Sequence, residues 1–465
     1  MKIGMTLGGL LLGGTAAFVG YTLSQPVVAG DDGSGGVASA GPDVIVGGIP
    51  DVGKYGTLNG TSAYSFGSTS CNIGDTQLEW IAGNNQHPVI PQNMYRVRGG
   101  RIEQIGMSWI KHGFCALQQT LCGPCQPAGA GCPSLLGIGC SDPYSAGLNG
   151  DQGGLGPRSL VNAASGFFPY PYTAPPGSGI LNRRLQVKID DLNPALNSGA
   201  IYYAEAQYIH PDDAAAGNDN NNASYRRFNV GSLTGGAYNL SLTGATTQQK
   251  PAIYAWKDND PAVTVTPFDV PNDGRFHIAY KAKDNGNGTW RYEFAIHNLS
   301  SDRSGYSFSV PVPDGVTITN IGFKDVNHHS GEPYTNTDWT AAIADGLLTW
   351  KADATFAQNA NANALRWSTM YNFWFDASTG PEAVLADFGL FKPGGAGDPS
   401  SVSVTIQGPS PAPCLGDYSN DGVVDGTDLA YLLGSWGTTG ADVDGNGTTD
   451  GADMAILLGA WGGCP

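Results

Sequence analysis

Glutamate is scarce in this chain. Six of the 465 residues are Glu, Lys is thinly spread, and all charged residues together make up 14%. A glycosidase needs two carboxylates at a fixed separation. Few glutamates leave few candidates, and Glu205 and Glu293, each in a strand-like run, are the best placed. No basic patch stands out and the net charge is −17. This argues against a nucleic-acid partner, whose phosphates need grouped Lys and Arg. Beyond the N-terminus no apolar run is long enough to span a bilayer. A Gly-x-Ser-x-Gly elbow, a His-Glu-x-x-His pair and a phosphate loop are all missing, which removes the hydrolase and nucleotide chemistries they serve.

Glycine and proline, by contrast, are plentiful, at 68 and 30 residues. That composition suits short strands joined by many turns and does not suit long helices. Hydrophobic residues reach 41%, enough for real cores, and the length implies more than one. The fold class expected is mainly β: a β-sandwich-like body with a small all-α module at the C-terminus.

The N-terminus carries a short basic start, an apolar run from Ile3 to Leu23, and small residues at Val27-Val28-Ala29 before Gly30. This reads as a secretory signal peptide over 1–29, with an uncleaved membrane anchor as the alternative. A Gly/Ser/Ala-rich spacer follows over 30–42. Export makes the eight cysteines readable as disulfides. Cys414 and Cys464 bracket the C-terminal module. For Cys71, Cys115, Cys122, Cys125, Cys132 and Cys140 the pairing stays open. Cys122 and Cys125, with Cys132 and Cys140, also permit a four-thiolate zinc site or a redox motif.

Residues 43–180 form a Cys- and Gly-rich region with strand-like pieces. Residues 181–397 read as a β-sandwich-like domain. The alternating runs Phe276–Lys281 and Trp290–His297 flank an Asn/Gly-rich turn, a strong hairpin signal. The aromatic run from Leu365 to Phe375 reads as a buried central strand. Residues 398–413 hold four prolines and form a linker, in which Val402 to Ile406 has the pattern of a last strand.

The richest signal is a duplication over 414–465. A twelve-residue loop starts at Asp417 and recurs, without a gap, at Asp442. Each has the oxygen spacing of a calcium loop, so two Ca2+ ions are expected. In the first, Asp417, Ser419 and Asp421 supply side-chain oxygens, Val423 a carbonyl, Asp425 a water-mediated contact and Asp428 the closing carboxylate. In the second, Asp442, Asp444, Asn446, Thr448, Asp450 and Asp453 take the same places. Gly422 and Gly447 permit the turn at position 6. Ser419 is a weaker ligand than Asp444, so the first loop is expected to bind less tightly. A helix follows each loop. Leu429, Leu432, Leu433 and Trp436, and then Met454, Leu457, Leu458 and Trp461, mark one apolar face on each. The two faces are expected to bury each other. A Cys414–Cys464 bridge would add ~4 kcal/mol in the chain-entropy model.

This segment resembles the type I dockerin family: two loop-helix units, Asp at the last ligand position, and a terminal place after a Pro-rich linker. The resemblance implies docking to a cohesin-like domain on a scaffold or cell surface, often in polysaccharide breakdown. It departs from the cellulosomal pattern, which often has Ser-Thr before the last ligand. Gly426-Thr427 and Gly451-Ala452 stand there, and the bracketing cysteines are a second departure. Upstream, the stretches from Asn320 to Pro333 and from Ala360 to Trp367 resemble segments of exported bacterial proteins with no assigned activity.

Asp325, His328, His329 and Glu332 lie close in sequence and read either as a metal or acid/base site or as a polar loop after a strand ending at Phe323. Adjacent His side chains on extended backbone point to opposite faces, so both cannot easily serve one site. His277 and His297 read as packing or surface residues. Trp256, Trp290 and Trp339 sit near turns, where rings can stack on sugars. The reading is a secreted or cell-surface, calcium-binding, structural or adhesive protein. The alternative is an enzyme or carbohydrate-binding component of a polysaccharide-degrading assembly.

Overall fold

The computed structural model describes residues 39–464, except 151, 152, 175, 330 and 413. The expected signal peptide and most of the spacer lie outside the described residues. The chain is mainly β, in stacked sheets.

Eight strands build the first sheet, in the order Ala237–Leu242, Ala223–Thr234, Ile201–Gln207, Gln92–Arg98, Arg101–Met107, Leu185–Lys188, Thr61–Phe66 and Val52–Leu58. Its two ends come back together. Tyr64 Oη donates to the Tyr238 carbonyl at 2.7 Å, and Lys54 Nζ reaches the Thr234 carbonyl at 2.8 Å. The sheet is therefore a nearly closed barrel, which leaves few unpaired edge groups. Phe66, Met94, Ile105, Leu185, Tyr202 and Phe228 fill it. Leu185–Lys188 lies between strands from far earlier in the chain, so the sheet runs across the boundary expected near residue 180.

A small sheet of Val44–Gly48, Ser68–Asn72 and Ser141–Tyr144 caps this core, next to the cysteine-rich stretch. The bridges there are Cys71–Cys122, Cys115–Cys132 and Cys125–Cys140. Cys122 and Cys125 thus belong to different bridges, which rules out the zinc and redox readings. With Cys414–Cys464 all eight cysteines are paired. Four disulfides are compatible with an extracellular protein. Among the described residues no helix is long and apolar enough to cross a membrane.

Asp142, in the capping sheet, is buried. Its Oδ1 accepts from Leu117 N at 2.9 Å and its Oδ2 has no partner among the described residues. Burial pushes its carboxyl up to about 7. A carboxyl held above its unfolded value favours the fold below that unfolded value and loses the advantage as pH rises to the folded one. Asp142→Asn is therefore expected to gain stability relative to the parent between pH about 4 and about 7. Denaturant midpoints across that range check it, and a gap that does not change with pH would refute it.

Two five-stranded sheets follow. The middle sheet runs Thr264–Asp269, Arg275–Asp284, Trp290–Asn298, Thr369–Ala377, Ile318–Lys324. The outer sheet runs Thr340–Ala344, Leu347–Lys351, Gly305–Pro311, Pro381–Leu390, Ser401–Pro409. Between them Phe276, Phe294 and Phe373 meet Phe308, Trp350 and Phe388. The next residues along the middle strands point the other way. Ala279, Ala295 and Met370 pack with Tyr95, Tyr203 and Trp256 of the barrel side. Period-two alternation thus covers both faces of the middle sheet. The last strand, Ser401–Pro409, occupies most of the stretch read as linker.

Candidate calcium loops and other polar sites

The two acidic loops fold alike. Asp417 Oδ2 accepts from Gly422 N at 3.0 Å, and Asp442 Oδ2 from Gly447 N at 2.7 Å. Asp421 Oδ1 accepts from Val423 N, and Asn446 Oδ1 from Thr448 N, both at 3.0 Å. Asp428 accepts from Ser419 N and Asp425 N, each at 2.9 Å. Asp453 accepts from Asp444 N at 3.1 Å, Asp450 N at 2.8 Å and also Val443 N at 2.7 Å. Positive φ recurs at position 6, in Gly422 and Gly447, and also at position 4, in Asn420 and Gly445. Gly and Asn tolerate that conformation best. The sequence reading caught the first of these positions and not the second.

Asp425 and Asp450 have a use the sequence reading missed. Each is the N-cap of the helix that follows, Gly426–Gly434 or Gly451–Gly459. Asp428 and Asp453 complete a capping box, bonding back to the cap residue. Backbone N–H groups hold both buried carboxyls below the ordinary carboxylate range, led by Asp425 N for Asp428 and Asp450 N for Asp453. Fixed, ionised oxygens are what a hard cation requires.

In the second loop one oxygen each from Asp442, Asp444 and Asp453 lies within 4.8 Å of the others. That all-oxygen set fits calcium. The first loop has Asp417 and Asp428 but offers the Ser419 hydroxyl, which itself donates to Asp417 at 3.2 Å. The sulfurs near Asp417 are bridged and provide no thiolate.

The helix faces differ from expectation. Leu432 and Leu457 are fully buried, with Leu429 and Met454 half-buried beside them. Leu433, Trp436, Leu458 and Trp461 stand about half exposed, at 53%, 48%, 50% and 51%. Each helix has only nine residues and buries one leucine fully, Leu432 or Leu457, so the flanks of the apolar stripe stay outside. The segment also has a strand element. Val423–Val424 pairs with Gly462–Gly463, and Cys464 N donates to Gly422 O at 2.9 Å.

The other expected residues scatter. Glu205 is fully buried and accepts from Asn93 Nδ2 at 2.8 Å, Tyr95 Oη at 2.9 Å and Ala252 N at 2.6 Å. Glu293 lines a separate cleft, bound by Arg101 and Arg291 at 2.8 Å each. His277 and His297 are buried between layers, as read. Trp256 and Trp339 are core residues: their indole N–H groups donate to Gly100 O and Asn363 O, at 3.1 and 2.5 Å. Trp290 is half-buried beside the sandwich core.

The His pair divides as its alternation requires. Asp325 and His328 line a polar cavity of about 320 Å3 with Gln104 and Asn336. Burial pushes the Asp325 carboxyl up to about 6 and the His328 imidazole down to about 3. His329 and Glu332 turn inward instead, 2.9 Å apart.

One cluster was not legible at all. His87 Nε2 lies 3.0 Å from His112 Nδ1, and His112 stacks on Tyr172 with ring centroids 3.5 Å apart. Burial lowers both imidazoles, His112 to about 3. The three residues come from separate stretches of chain and share no local motif. No protein-family model matches this chain, and no curated protein shows significant similarity to it.

Proposed function

We propose that residues 414–464 form a calcium-loaded docking module of dockerin type, through which an exported, structural or adhesive β body is held to a cohesin-like domain on a scaffold or cell surface. The observation that carries this reading is the recurrence of one hydrogen-bond scheme in both loops, around oxygens spaced for calcium. The exposed residues support the docking part. Leu433 and Trp436 recur as Leu458 and Trp461, giving two apolar patches that nothing in the chain covers among the described residues.

Calorimetric titration of calcium into the full, oxidised chain tests the reading. Two binding events are expected, the tighter one lost in Asp444→Ala and the weaker one in Asp417→Ala. No binding at about millimolar calcium, the weak end for such loops, would overturn it.

A further inference from the structure

Two hairpins that are distant in sequence enclose an open cleft of about 580 Å3. One is Gln92–Arg98 with Arg101–Met107, from the barrel; the other is Arg275–Asp284 with Trp290–Asn298, from the middle sheet. Arg96, Arg98, Arg101, Lys281, Lys283 and Arg291 line it. A chain with only 23 Lys and Arg thus puts six of them around one cleft, against a net charge of −17.

Much of that charge is held in place by carboxylates. Glu103 takes Arg96 at 2.6 Å, Lys324 at 3.4 Å and Arg101 at 3.7 Å. Glu293 takes Arg101 and Arg291. At the rim Asp191 pairs with Arg96, Asp376 with Arg291 and Asp260 with Lys281. With Lys324 included, seven cations face five carboxylates, a surplus of two positive charges. The surplus rests on Arg98, which donates to the neutral Asn197 Oδ1 at 2.9 Å, and on Lys283, which makes no direct ion pair among the described residues and feels Asp260 only at longer range. Both are exposed, one on each wall. Deeper in, Arg96 is buried and its Nε has no partner among the described residues. Arg101 is fixed by stacking over Trp374, 3.8 Å from the ring centre.

We propose that this cleft binds the acid groups, carboxylate or sulfate, of an anionic polysaccharide. An open trough with one uncommitted cation on each wall suits charges spaced along a chain. Arg and Lys recognise both acid groups through charge-assisted hydrogen bonds. Among the described residues no aromatic side chain lines the cleft, and the Trp374 ring is covered by Arg101, so it offers no platform for stacked bases. The site shares no residue with the calcium loops, so it stands or falls separately from them.

The test uses the full oxidised chain with calcium chelated, so that metal bridges between the acidic loops and a polymer make no contribution. Oligogalacturonate, dextran sulfate, neutral dextran and a single-stranded oligonucleotide are compared at about 0.1 M and about 1 M salt, where screening acts over about 10 Å and about 3 Å. One or both acidic glycans should bind at low salt and release at high salt, while neutral dextran does not bind. The stronger of the two identifies the acid group. The double variant Arg98→Glu with Lys283→Glu, at exposed positions, should bind about tenfold or more weakly with an unchanged melting temperature. Acidic glycans binding no better than dextran, a double variant that binds like the parent, or preference for the oligonucleotide would each overturn the assignment.

Discussion

Replacing Glu332 by alanine is expected to cost the body roughly 2–6 kcal/mol, the penalty for leaving two enclosed backbone N–H donors unpaired at about 1–3 kcal/mol each. Glu332 is fully enclosed. Its Oε1 accepts from Arg158 N at 2.6 Å and its Oε2 from Ser159 N at 3.0 Å, with His329 Nε2 against Oε1. Arg158 in turn spreads its guanidinium to the Ser108, Gln92 and Ser368 carbonyls and to Asn93 Oδ1. One carboxylate and one guanidinium thereby fasten the loop after the middle sheet to the barrel. Alanine would leave the Arg158 and Ser159 N–H donors without their acceptor. Burial alone would raise the Glu332 carboxyl, but His329 and the Ser159 and Arg158 N–H groups bring it down to about 2. A carboxylate lowered in this way stabilises above its unfolded value of about 4.3, and the stabilisation is lost as pH falls toward 2. Denaturant unfolding should therefore show a full gap between parent and variant at neutral pH and a shrinking gap below pH about 4. A neutral-pH loss under about 1 kcal/mol would mean the carboxylate is replaceable by packing.

Asp453→Ala and Asp444→Ala should separate folding from metal binding in the second loop. Asp453 accepts three backbone N–H groups and completes the capping box of Gly451–Gly459. Losing it leaves buried donors worth about 1–3 kcal/mol each. So small a core has only a few kcal/mol to lose. The helix is expected to open even without calcium, with the Cys414–Cys464 bridge intact. Asp444 is exposed, and among the described residues its side chain bonds only to Asn446 of the same loop. Its removal should leave the metal-free helix in place and weaken calcium binding at that loop by at least about tenfold, since affinity follows ligand charge. Hydrogen exchange over 451–461 in the full chain, with and without calcium, distinguishes the two. Equal protection in both variants would mean that Asp453 has no structural part.

What was legible in sequence was local. The hairpin of Arg275–Asp284 and Trp290–Asn298 follows from alternation on both sides of an Asn/Gly turn, and the aromatic run before Phe375 does become a central strand. Both signals fit within about twenty residues of chain. The barrel had no such signal. Val187 bonds into the sheet between Ser62 and Gly106, partners set by the closing of long loops. For the same reason the basic cleft was hidden: Arg98 and Lys283 lie far apart in sequence, and only the packing of barrel on middle sheet brings them together. The helix faces erred in another way. Periodicity says which residues share a side, but not how wide a strip the partner covers, so Leu433 and Leu458 were assigned to a core they only flank. The caps at Asp425 and Asp450 were not legible, because Asp suits a ligand position and a cap alike.

The strand Ser401–Pro409 gives the chain a mechanical character. It is the edge of the outer sheet, it pairs along its nine residues with Pro381–Leu390, and the C-terminal segment hangs from its Pro409 end. Any tension between that segment and the body enters there. A pull along the strand loads the whole ladder in shear, while a pull across it peels the pairs one at a time, beginning with Pro409 and Pro381. At that entry point Ser410 N donates to Gly380 O at 2.8 Å and Thr379 Oγ1 to Ser410 O at 2.7 Å. In a pull across the strand these two bonds part before the first rung does.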